Sequence, residues 1–146
     1  MGFSYISLDE AILIHRRTVE HSGGGSYEIL NVGQIESILV HVQNDDYYPS
    51  LTDKLRYMFY GFCKFHCFSD GNKRIAITMC ANFLLRNGYL FEATVFLREM
   101  ENISYYVASG AVSEDLLNDI LVAIVAHTYD QDDELAFRLN RSIGEC

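Results

Sequence analysis

Proline is nearly missing from this chain: Pro49 is the one proline in 146 residues. With no repeated prolines to break helices and no long Val/Ile/Thr alternation to build strands, the chain reads as mostly helical. Cations are scarce too. Eleven Lys and Arg against 20 Asp and Glu leave a net charge of −9. That balance excludes broad nucleic-acid or anionic-membrane binding, because neutralising phosphates takes clustered cations. Any phosphate site must be local. No uncharged apolar run approaches the roughly 18 residues of a membrane span. Cys63, Cys67, Cys80 and Cys146 have no framework spacing, and no leader-like n-region, h-region and cleavage site opens the chain. A reduced, cytoplasmic protein is the expectation, with neither nucleic acid nor membrane as partner.

About half of the residues, 49%, are hydrophobic, enough for one core that buries roughly two thirds of the unfolded surface. Ser7-Leu8-Asp9-Glu10 is a capping box, and Leu8, Ala11, Ile12, His15 and Val19 then repeat at helical spacing until the Gly-rich stretch at 22–26. This predicts a first helix over about 8–21. Ile35, Ile38, Leu39 and Val42 share a face and predict a second over 32–42. A third is expected from Ser50 or Thr52 to near His66, with Leu55, Phe59 and Phe62 inward. From Asn72 to Asn87 the sequence is apolar nearly all round, with Gly88 set to take the left-handed position after it. A buried helix about 24 Å long follows. Two more are expected, around 97–109 and from the Ser113 cap through Val125. The acidic run from Asp130 to Glu134 marks an extension over 130–146 beyond a main domain of 1–129, with Leu135, Phe137, Leu139 and Ile143 able to form a short helix.

The chemistry concentrates in His66-Cys67-Phe68-Ser69-Asp70-Gly71-Asn72-Lys73-Arg74, just before the buried helix. A helix start presents unpaired N–H groups and a positive dipole end, and a glycine there lets an anion approach the backbone. Gly71 and the amides of Asn72, Lys73 and Arg74 can therefore cradle phosphates. Arg74 adds a planar fork of donors and Lys73 a mobile point charge. Asp70 can hold Mg²⁺, which is commonly shared between one or two carboxylates and substrate phosphates. His66 can accept a proton near neutral pH and so activate a hydroxyl nucleophile. Phe68, between polar neighbours, reads as an anchor for the loop.

These residues resemble the Fic/Doc family signature: a histidine, Phe two positions on, an acid, Gly or Ala, Asn, Gly or Lys, and Arg. The likeness extends over about residues 5–126, through the Gly-rich turn, the helices around the motif and Phe83-Leu84-Leu85-Arg86-Asn87-Gly88. It implies an all-α Fic fold of about six helices around the motif helix, with a short flap that aligns a target segment. It also implies His66 as general base, Asp70 for Mg²⁺, and Asn72, Lys73 and Arg74 for the phosphates of ATP or another nucleoside triphosphate. Lys73 stands where the adenylylating branch has glycine, and Ile77 where that branch has a second arginine. Both departures resemble the death-on-curing (Doc) branch, which implies γ-phosphoryl transfer to a Ser/Thr hydroxyl of a target in the translation machinery, with an antitoxin as partner. Cys67 replaces the commonest residue, proline.

Fic-type adenylylation is the alternative chemistry, and a degenerate partner-binding module is the non-enzymatic one. The latter should have lost the histidine, the acid or the arginine, and this chain keeps all three. Position alone puts the flap at Asp45–Ser50, where Tyr47 or Tyr48 would meet the target. Zinc binding by Cys63, His66, Cys67 and Cys80 is a further option that the spacing does not favour. His15, His41 and His127 read as structural or surface residues.

Overall fold

Ser7 and Glu10 form the expected capping box, each side chain taking the other's backbone N–H, and α1 (Leu8–His21) begins there. The computed structural model describes residues 2–21, 25–69 and 71–144. Among these the chain is all α. After α1 come α2 (Val32–His41), α3 (Leu51–Lys64), α4 (Asn72–Arg86), α5 (Leu90–Ser109), α6 (Glu114–Val125) and α7 (Asp133–Gly144), with a 3-10 turn at Tyr129–Gln131. No strand is present among the described residues, only an isolated antiparallel bridge between Ile29 and Phe68.

Helix α4 lies at the centre, packed against α1, α3 and α5. Its buried side chains, Ile75, Ala76, Met79, Cys80, Ala81, Phe83 and Leu84, cover most of its circumference, so its first turn is held by a rigid interior. Its end is a full Schellman motif. Gly88, at φ 88°, donates to the Leu85 carbonyl, and Tyr89 donates to that of Leu84. Helices α3 and α6 start at the expected Ser50 and Ser113 caps. Leu55, Phe59 and Phe62 of α3 point inward as expected.

One expectation needs correction. Helix α5 starts at Leu90, seven residues before the predicted Leu97, because no capping side chain marks its start: Tyr89 holds the N-cap and makes no side-chain bond to the helix. The Asp45–Ser50 segment is a turn followed by a short connection to the Ser50 cap, with Tyr48 stacked on Tyr57 at 4.3 Å. Its Asp45 forms a 2.8 Å ion pair with the ammonium of Lys54, which is fully buried and also donates to the Val42 carbonyl. The acidic extension forms α7, which puts Leu135 into the common core and pairs Arg138 with Asp119 of α6. No helix among the described residues is long and apolar enough to cross a membrane.

Candidate active site

Helix α3 ends at Lys64, and Phe65 caps it with its N–H on the Gly61 carbonyl. His66 then takes the left-handed position beyond the cap at φ 48°. Helix α3 thus ends close to His66, as expected, and His66 lies just outside it, on the turn that reverses the chain. A side chain costs about 1–2 kcal/mol in that conformation, and the packing on either side imposes it. His66 is exposed.

The loop after it is fastened from three directions. Phe68 is buried and stacks flat on the buried ring of His15 from α1, centroids 3.9 Å apart. This is the anchoring role expected of Phe68, and it gives His15 a structural place. The Cys67 carbonyl accepts the N–H groups of Leu30 and Asn31, and Ser69 donates to the Glu28 carbonyl. The backbone that pairs with the motif loop is therefore 28–31, between α1 and α2. The third fastening is Asn72. Its Oδ1 accepts the Phe68 N–H at 3.1 Å while its Nδ2 donates to the Phe68 carbonyl at 2.8 Å. The side chain thus clamps the loop, and Asn72 keeps its second Nδ2 proton and its backbone N–H for an anion.

Gly71 is the N-cap of α4 in a left-handed conformation, φ 80° and ψ 15°. A Cβ there would meet nothing within 4 Å, so backbone angle rather than space calls for glycine. Among the described residues no side chain caps the helix, which leaves the amides at its start to an outside acceptor. Asp70, the expected metal ligand, lies outside the described residues, and so do Gly23 and Gly24 of the expected Gly-rich turn.

Two concavities flank this helix start. One, of about 300 Å³, is lined by Cys63 and Lys64 of α3, His66, Ser69, Gly71, Asn72, Lys73 and Ala108 of α5. The other is an open cleft of about 590 Å³ between α1, α4 and α5, with Arg17, Thr18, Arg74, Ile77 and Leu97 among its walls. Lys73 and Arg74 thus serve opposite flanks. Ile77 contributes apolar surface beside Arg74.

Cations without a salt bridge gather at the same place, apart from Arg16, which lies over the Tyr27 ring. Lys54, Arg56, Arg86, Arg98 and Arg138 are all salt-bridged. Arg17, Lys64, Lys73 and Arg74 form no salt bridge among the described residues, and every one lines a concavity beside the start of α4. Sequence reasoning missed Lys64; its place two residues before the motif histidine, on the last turn of the preceding helix, was the available signal.

Burial pushes the Cys63 thiol up to about 12, although the Lys73 and Lys64 ammoniums pull the other way, and it pushes Cys67 up to about 11. Cys80 lies well above the ordinary thiol range for the same reason. Thiols kept protonated are poor zinc ligands, and no group of three His, Cys, Asp or Glu side chains converges among the described residues. The donors that reach the small pocket are amides, cations, a hydroxyl and an imidazole. They suit an oxygen-rich anion, and any metal there would be a hard, oxygen-bound one.

No curated protein matches the chain. The Fic/DOC family profile matches residues 5–84, a span that contains α1, α2, α3, the whole motif loop and most of α4. An all-α bundle whose central helix starts uncapped beneath a histidine, with two cations in its first turn, agrees with that match. The chain belongs to the Fic/DOC family, whose members are in general transferases that move part of a nucleotide onto proteins.

Proposed function

We propose that this chain is a Doc-like protein kinase that acts in the cytoplasm, moving the γ-phosphoryl group of ATP or another nucleoside triphosphate to a Ser or Thr hydroxyl of a target protein. The observation that carries the reading is the uncapped start of α4, with His66 and Lys73 on one small polar pocket. His66 takes the proton of the incoming hydroxyl. A new bond forms between that oxygen and the γ-phosphorus, the bridging bond to the β-phosphate breaks, and the nucleoside diphosphate leaves with the electron pair. The amides of Asn72, Lys73 and Arg74, with the Lys73 and Arg74 side chains, hold the phosphates and meet the charge that spreads over the transferred group. Asp70 is the motif's acid for Mg²⁺, and one such carboxylate suffices for an ion shared with phosphates. When bound, Mg²⁺ neutralises phosphate charge. Asn72 keeps His66 and the helix start in register by clamping the loop between them.

Lys73 and Ile77 favour phosphoryl over AMP transfer. The ammonium occupies the position at which the adenylylating branch leaves room beside a glycine. An apolar wall beside Arg74 stands where that branch has its second guanidinium. The target is proposed to belong to the translation machinery, and an antitoxin protein is the proposed inhibitor.

Incubation with Mg²⁺, a cell extract and ATP labelled at either the α- or the γ-phosphate tests this reading, with His66→Ala alongside. Transfer of the γ-label alone, lost in His66→Ala, is the expected result. Transfer of the α-label would replace the kinase with an adenylyltransferase, and the absence of any His66-dependent transfer would count against catalysis altogether.

A further inference from the structure

The small pocket contains one cation that the motif does not supply. Lys64 ends α3, two residues before His66, and its side chain lines the cavity together with His66, Gly71, Asn72 and Lys73. We propose that Lys64 is a phosphate-binding residue of the transfer site, adding from α3 a second ammonium to the one that Lys73 supplies from α4. The proposal rests on the nucleotide reading given above.

Three observations support it. The first is that Lys64 is uncommitted: its Nζ makes a 3.4 Å contact to the Ala108 carbonyl and no salt bridge among the described residues. That contact is longer than the roughly 2.9 Å of a good N–H···O bond, and an ammonium has two further protons to give. The second is where the contact falls. Ala108 lies in the last turn of α5, whose carbonyls form the negative end of that helix and would repel a phosphate entering the pocket. An ammonium between that carbonyl and the pocket turns a repelling wall into an attracting one. The third is convergence: Lys64 from α3 and Lys73 from α4 line the same small pocket, and both lie close enough to the Cys63 thiol in its wall to act on it.

A simpler role for Lys64 is to complement the dipole of its own helix, as basic residues in a last turn commonly do. The two roles separate by experiment. Binding of ATP with Mg²⁺ is measured by calorimetry for the unaltered chain and for Lys64→Ala, Lys64→Arg and Lys73→Ala, with thermal unfolding of each. Lys64→Ala is expected to raise Kd about tenfold, the loss of one charge-assisted hydrogen bond. Lys64→Arg should bind close to the unaltered chain, and the variants should unfold at similar temperatures. If Lys64→Ala binds ATP as tightly as the unaltered chain while Lys73→Ala does not, the role of Lys64 is overturned and the nucleotide reading stands. If the unaltered chain binds neither ATP nor GTP, CTP or UTP tried in its place, both fall.

Discussion

At φ 48°, His66 holds a side chain where the end of a helix most readily accepts glycine. Strain of this kind persists when the surroundings impose it, and it gathers at functional positions. His66→Gly should therefore unfold at higher denaturant concentration, a gain of about 1 kcal/mol, while transfer to protein falls by on the order of 10²- to 10⁴-fold. His66→Ala should lose transfer equally without the gain in stability, and equilibrium urea unfolding of the two variants checks the difference. Asn72 makes the opposite case. Its side chain was legible as part of a phosphate motif, yet both of its polar atoms also hydrogen-bond the Phe68 backbone. Asn72→Ala should cost about 1–3 kcal/mol, because it orphans backbone groups of a partly buried loop, and its transfer rate should fall more than its ATP affinity, since the amides stay in place. Motif spacing singled out both residues as candidates. It could not reveal that one is strained and another braces the backbone, because both facts depend on how the loop folds back on itself.

Elements with a start signal were readable: the Ser7, Ser50 and Ser113 caps each open a helix where the sequence puts one. Helix α5 has no such cap, and its first seven residues, about two turns, were missed. The pairing of 28–31 with the motif loop is a contact between segments nearly forty residues apart, and nothing in local propensity announces it. The same holds for the tie between the start of α1 and the end of α4. Glu10 completes the capping box of α1 and also accepts from the Arg86 guanidinium, which with the Ser7 N–H holds its carboxyl down at about 2 rather than the ordinary 4.5. A carboxyl depressed on folding stabilises the fold above its unfolded value, and that contribution disappears as pH falls towards the folded one. The difference in melting temperature between the unaltered chain and Glu10→Gln should be full above pH 4.5 and shrink as pH falls towards 2. A gap independent of pH would mean that Glu10 acts through packing alone.

At the scale of the molecule, one core joins the seven helices of the described residues, and three of its members there are cysteines: Cys63 beside the pocket, Cys67 in the loop and Cys80 in the middle of α4. Burial raises all three thiols, so a thiolate reagent reaches them when the structure opens and not before. In a Cys146→Ser chain at mildly alkaline pH, alkylation of Cys80 should run slower than that of a free thiol by a factor on the order of 10³ or more, the population of the unfolded state. Cys63 and Cys67 sit where opening of the motif loop would suffice, and the ratio of their rates to that of Cys80 separates loop opening from global unfolding. A nucleotide held at the start of α4 stabilises the closed form by mass action. At a hundred times its Kd it should slow labelling of Cys80 by about a hundredfold, and that of Cys63 and Cys67 no less if the closed loop is the binding form. Mass spectrometry of timed aliquots reads all three cysteines in one experiment. Protection of Cys80 with continued labelling of Cys63 would mean that the nucleotide binds away from the small pocket, in the wider cleft on the Arg74 side.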